Sequence, residues 1–164
     1  MTTARSQPES YDDAMIARHA LAWARRCTEH SVRVQPGLAE LRERLLALGG
    51  QEAGFYDIEP RLEILLRRGV SFGRRSRIRH GIPHRCHHNA AALWRASEGQ
   101  MRIVAGYALS GDIWRQHSWA IAPDAAPPVI ETTRKRDLYY GVVLTDHEAE
   151  AFYAAEYIPD QTLP

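Results

Sequence analysis

Three side chains in this sequence have the chemistry to attack and transfer an acyl group: Cys86, His117 and Glu131. Cys86 opens a predicted helix, where unpaired backbone N–H groups and the helix dipole favour the thiolate, the nucleophilic form of the residue. Arg85 and the neighbouring His84, His87 and His88 add positive charge there. His117, in Gln116-His117-Ser118-Trp119, falls in the middle of a predicted half-buried strand, a suitable place for a general base that takes the thiol proton. Glu131 lies in the next predicted strand, within Val129-Ile130-Glu131-Thr132-Thr133. Antiparallel pairing of the two strands is expected to set His117 and Glu131 side by side on one face, as an orienting carboxylate and its imidazole must stand.

The elements that must position these groups follow from hydrophobic period. Tyr11 to Glu29 reads as a helix with Met15, Ile16, Leu21, Ala22 and Trp23 along one stripe. Pro36 marks a second helix start, and Leu38, Leu41, Leu45 and Leu48 repeat until Gly49-Gly50. A third helix runs from about Pro60 to Gly69 on Leu62, Leu65 and Leu66. Residues 70–84 read as an Arg- and Gly-rich loop leading to the Cys86 helix. The small residues Ala90, Ala91 and Ala92 suit that helix to close packing at the centre of the domain. Past Gly99 the period changes from 3.6 to 2, and Met101–Leu109, Ile113–Ala122, Val129–Thr133 and Leu138–Leu144 read as four strands. Their short connections predict an antiparallel meander. Thr145 and Glu148 form a capping-box pattern before a last helix carrying Phe152, Tyr153 and Tyr157. The expected fold is α+β in one domain over 1–164, with 1–69 as helical support or lid and 80–145 as the core that holds the chemistry.

Composition excludes several other classes. The 164 residues are 45% hydrophobic and 25% charged, values of an ordinary globular domain rather than a disordered, collagenous or disulfide-built chain. No apolar run approaches the roughly 20 residues of a membrane span. Met1 to Tyr11 is polar and lacks the apolar core of a secretory signal. Two cysteines, Cys27 and Cys86, suit a reducing compartment, so a cytoplasmic location is expected. The net charge is +1, yet every basic residue except Lys135 is arginine, and no Asp or Glu occurs from Ile64 to Ser97. The resulting positive field around Arg74 to Arg85 would draw an acidic substrate or a phosphate-bearing carrier.

Several short motifs add a resemblance. Cys86-His87-His88-Asn89-Ala90, Gly106-Tyr107-Ala108, His117-Ser118-Trp119, Val129-Ile130-Glu131-Thr132 and Tyr139-Tyr140-Gly141-Val142 resemble the papain-like, transglutaminase-like superfamily. Small bacterial and phage proteins with C-x-x-N-A, H-[AS]-W and V-I-[DE]-x-T patterns are more similar still. The likeness spans about residues 80 to 145. Here Glu131 stands where the superfamily more often has Asp, and Thr133 fills the patterned threonine position. The resemblance implies Cys86 as nucleophile, His117 as base and Glu131 as orienter, and activities from peptide hydrolysis and deamidation to acyl transfer, with inactive members too. Its substrates would be peptides, amides or acyl thioesters, without a cofactor or a metal.

Further candidates remain open. The Cys86 N–H is the first choice of oxyanion donor. His80 and His84 are candidates for a side-chain donor, and Asn89 either joins them or fixes the loop. Trp114 and Trp119 either wall a substrate cleft or fill the core. Two rival functions also follow from these residues. His84, Cys86, His87, His88 and His117 have the atoms to bind zinc, but H-x-C-H-H is not a familiar zinc spacing. The acid-free Arg segment suits nucleic acid, but it has few interleaved aromatics and no reading motif. An inactive papain-like binding protein is a third alternative.

Overall fold

The computed structural model describes residues 11–157 and Pro159. The reading of residues 1–10 as free of a signal lies outside that range. Five helices and seven strands follow one another as α1 (Tyr11–Val34), α2 (Leu38–Leu48), β1 (Glu52–Gly54), α3 (Leu62–Arg68), β2 (Val70–Gly73), β3 (Arg77–Ile78), α4 (Cys86–Ala96), β4 (Arg102–Ser110), β5 (Ile113–Ile121), β6 (Val129–Glu131), β7 (Leu138–Val143) and α5 (Asp146–Glu156). The class is α+β, as the change of period predicts. No helix among the described residues is long and apolar enough to cross a membrane.

The strands form one sheet in the order β2-β7-β4-β5-β6-β3, with β1 alongside β5. This is not the simple four-strand meander expected. β4, β5 and β6 do follow one another antiparallel, but β7 returns to the far side of β4 rather than pairing with β6. The segment read as a loop over 70–84 contains β2, an antiparallel edge on β7, and β3, a parallel one on β6. β1 is likewise absent from the periodicity of the sequence. Its three residues are all buried, so they show no alternation to read.

Alternation along the long strands sorts the core into two parts. Ala105, Tyr107 and Leu109 of β4, Trp114 of β5, and Tyr140 and Val142 of β7 face Leu38, Leu41, Leu45, Leu65, Ala90, Ala91 and Phe152 of the helices. Val104 and Ala108 of β4, Trp119 and Ile121 of β5, and Tyr139 of β7 form a smaller cluster on the other face. β1 is fastened by Glu52, which is fully buried and takes both Arg42 Nε (2.7 Å) and Arg42 Nη2 (2.8 Å) in a two-pronged ion pair. The α1 stripe does not behave as core: Met15, Ile16 and Trp23 are 45%, 64% and 56% exposed. Only the second half of α1 reaches the sheet, through Ala24, Thr28 and Ser31, the latter two bonding the carbonyls of Ala53 and Phe55. The capping box on α5 forms as its sequence predicts.

The detail that shapes the site is a gap along one edge of β5. β4 covers β5 throughout, but on the opposite edge β1 covers only Ile113–Arg115 and β6 only Ala120–Ile121. Backbone amides between those two stretches have no strand partner on that side. The start of α4 is directed into this opening.

Candidate active site

Two devices bring Cys86 to the opening. The chain from β3 onward runs beside β6, with Arg79 N–H bonded to Glu131 O and Gly81 N–H to Thr132 O, both at 2.8 Å. Asn89, one turn into α4, then clasps the peptide of Ile82: its Oδ1 accepts from Ile82 N–H at 3.0 Å and its Nδ2 donates to Ile82 O at 2.8 Å. Gly81 is required by this closeness, since a Cβ there would lie 2.4 Å from Asn89 Cγ. Asn89 therefore acts as a loop clamp, with its Oδ1 and one Nδ2 hydrogen engaged by Ile82.

At the opening, the Cys86 sulfur faces the His117 ring and the backbone N–H groups of Ser118 and His87, all of which favour its ionised form. Ser118 N–H is available because of the gap in the sheet. Even-numbered amides of β5 point to that edge, as Ala122 N–H does just beyond the strand in bonding Pro128 O at 2.9 Å. Burial works to raise the thiol, but the His117 hydrogen bond and charge and the two N–H donors outweigh it. The thiol is held below its ordinary value.

The His117 Nε2 lies 2.8 Å from Glu131 Oε2, leaving Nδ1 for the sulfur. The pairing that achieves this differs from the one expected. β6 meets β5 with Ala120 opposite Ile130 and Ile121 opposite Val129. Continuing that register puts Glu131 opposite Trp119, so it reaches His117 along the diagonal. Diagonal neighbours stand about 7–8 Å apart, a span that the extra methylene of glutamate helps to cover. Glycine at 106 clears the backbone beside them. Gly106 is paired with His117 on one side and Gly141 on the other, and a Cβ there would come within 2.2 Å of Tyr140 O.

Glu131 is fully buried, and every lone-pair direction has a donor. Oε1 accepts from Thr132 N–H (2.9 Å), Thr133 N–H (2.8 Å) and Thr133 Oγ1 (2.9 Å), while Tyr139 OH donates to Oε2 at 3.1 Å. Burial alone would raise this carboxyl. The His117 contact and the Thr133 donors more than reverse that and bring it to about 2. His117 moves the other way: burial lowers it, but bonds to Cys86 and Glu131 raise it above its ordinary value. Thiolate, imidazolium and carboxylate are thus mutually favoured. Burial, the largest cause, also pushes the Tyr139 hydroxyl above the usual phenol range.

Cys86 and His117 line a cleft of about 480 Å³, a size that admits a small ligand or a short peptide segment. His80 and His84 stand on its exposed rim, and neither makes a side-chain hydrogen bond. Trp119 and Trp114 do not line it. Both are fully buried; Trp119 stacks against His117 and meets Tyr139 at a tilt, and Trp114 Nε1 donates to Gly49 O at 2.7 Å. The arginines of the cleft are Arg115, Arg134 and Arg136, not those of the Arg74–Arg85 run, of which only the intervening His80, Gly81, Pro83 and His84 take part. The five candidate zinc ligands are not gathered. His87 Nδ1 sits 2.7 Å from Ser118 Oγ, His88 stacks on Tyr157, and His84 is on the rim; among the described residues no group of three His, Cys, Asp or Glu side chains converges as a metal site.

Sequence reasoning missed the supporting residues. His87, half-buried and held below its ordinary value chiefly by burial, braces Ser118, whose N–H reaches the sulfur. Thr133 and Tyr139 hold Glu131; both lie within the quoted motifs, which were the available signal. No protein-family model matches the chain, and neither does any curated protein or solved structure.

Proposed function

We propose that the chain is a cysteine-dependent acyl-transfer enzyme of papain-like, transglutaminase-like type, acting on an amide, ester or thioester through an acyl-Cys86 intermediate. The observation that carries this reading is the placement of Cys86 against the His117 ring, which is itself hydrogen-bonded to Glu131 at 2.8 Å, with the sulfur at an open cleft. The Cys86 thiolate attacks the carbonyl carbon, a C–S bond forms, and the carbonyl π pair moves to oxygen. The first amides of α4 have no intrahelical acceptor, so the Cys86 N–H is placed to receive that oxyanion. Collapse breaks the bond to the leaving group, and His117 gives that group its proton. Water or an amine then attacks the thioester, His117 takes the proton of the attacking group, and the thiolate departs. Glu131 stays ionised throughout and keeps the ring aimed at sulfur.

A p-nitrophenyl ester tests this. The expected result is a burst of nitrophenol equal to the enzyme present, with the acyl mass on the peptide containing Cys86, and no burst from Cys86→Ala. Acylation shared equally by Cys27 and Cys86, without a burst, overturns the reading.

A further inference from the structure

The cleft that holds Cys86 contains Arg115, Arg134 and Arg136 and no carboxylate in its lining. None of the three forms an ion pair among the described residues, whereas Arg42, Arg68, Arg95 and Arg102 elsewhere each do. Arg115 projects from the same face of β5 as His117, two residues away, or about 7 Å along the strand. Its Nη1 reaches only the Ser110 carbonyl, at 3.2 Å. Arg136 donates Nη2 to Thr133 Oγ1 at 3.2 Å, and that hydroxyl in turn donates to Glu131, so this guanidinium is tied to the catalytic carboxylate. Two buried polar atoms of cleft residues have no partner: Arg136 Nε and Thr132 Oγ1. Buried donors normally find acceptors, and like charges crowded in a concavity repel. Glu131, already occupied by His117, Tyr139 and its own loop, cannot offset all three guanidiniums.

We propose that the acyl donor carries an oxyanion group, phosphate or carboxylate, held by Arg134, Arg136 and Arg115 beside the carbonyl that Cys86 attacks. Guanidinium forks match both groups in two-pronged geometry. This assignment rests on the acyl-transfer reading above and narrows its substrate class to anionic donors.

Two alkylating agents of similar size separate the proposals. Iodoacetamide is neutral and reports the activated thiol; iodoacetate is an anion and reports the cleft as well. With Cys27 as the reference thiol in the same protein, the iodoacetate-to-iodoacetamide rate ratio should be at least about tenfold higher at Cys86, and Arg134→Gln should lower it about fivefold. Using the ratio cancels any change in thiol ionisation. Arg134 is exposed, so its variant should fold; Arg136→Gln is the second variant. If Cys86 outpaces Cys27 with iodoacetamide but shows the same ratio in wild type and both variants, the anion proposal falls and the activated thiol stands. If Cys86 is no faster than Cys27 with iodoacetamide, the acyl-transfer reading falls and takes this assignment with it. Inorganic phosphate and glutarate as competitors distinguish the sources: protection by one assigns that oxyanion, and protection by neither at millimolar concentration overturns the proposal.

Discussion

His117→Ala should slow acylation of Cys86 by about 10²- to 10⁴-fold near neutral pH, the range for loss of a positioned general base. The deficit should depend on pH and on the leaving group, which separates a chemical role from a structural one. His117 is raised above its ordinary value and Cys86 is lowered, so the wild-type site favours the charged pair. Without the ring, burial acts on the thiol with less opposition, and the thiolate forms only at higher pH. A nitrophenyl ester needs no proton on its leaving group, so its rate should recover as the medium becomes alkaline. An amide or alkyl thioester needs that proton and should not recover. His117→Gln keeps more of the volume packed against Trp119 and guards against a folding defect. Equal rates for wild type and variant at neutral pH with a nitrophenyl ester would remove His117 from the chemistry.

Glu131→Gln should damage activity and stability together. An amide has one acceptor oxygen, and three donors already converge on Oε1. If the oxygen stays there, the NH₂ faces His117 Nε2 and Tyr139 OH. The tyrosine can rotate to accept, but the ring must then hold its proton on Nδ1, toward the sulfur. That is the wrong tautomer for accepting the thiol proton. The equivalent change in serine-protease triads costs about 10⁴-fold, and a similar loss in acylation is expected here. Stability follows from the depressed carboxyl. A group titrating at about 2 when folded and near 4.5 when unfolded contributes about 3 kcal/mol. That contribution is complete above the unfolded value and disappears as pH falls from 4.5 towards 2. His117 has the opposite sign: its contribution is complete below the unfolded value of 6.5 and fades as pH rises through the folded one. Denaturant unfolding of wild type and Glu131→Gln at neutral and acid pH checks this. The wild type should lose its advantage on acidification; a constant difference down to the acid limit would contradict the account.

How much of this was legible in the sequence depended on whether the signal was local. Leu38, Leu41 and Leu45 repeat at helical spacing and are all fully buried; Thr145 and Glu148 show their capping box directly. Strand boundaries from β4 to β7 agree to within one or two residues because each strand is long enough to alternate or is bounded by turn residues. What failed was pairing. Nothing local says that β7 crosses to β4, because alternation gives a strand's faces and not its neighbour; Arg77 and Ile78, a short exposed pair, are defined as a strand only by running parallel to β6. Within the candidate site, Cys86, His117 and Glu131 could be singled out from residue type, helix start and strand alternation, and the fold brings them together. The arginines could not be placed in this way. Arg134 and Arg136 look like ordinary turn residues, and only the fold carries them, rather than Arg74 to Arg85, into the cleft. In α1 the error was different in kind: Met15, Ile16 and Trp23 lie on a plausible stripe, but the helix extends past the sheet that would cover them.

An ionised Cys86 held by His117 underlies the whole mechanism, and the ultraviolet absorbance of the thiolate, titrated against pH, reads it out. The wild-type thiolate signal should already be present below the ordinary thiol value of about 8.5, be absent in Cys86→Ser and move to higher pH in His117→Ala. A wild-type signal that rises only in the ordinary thiol range, and in the same place after loss of His117, would contradict it.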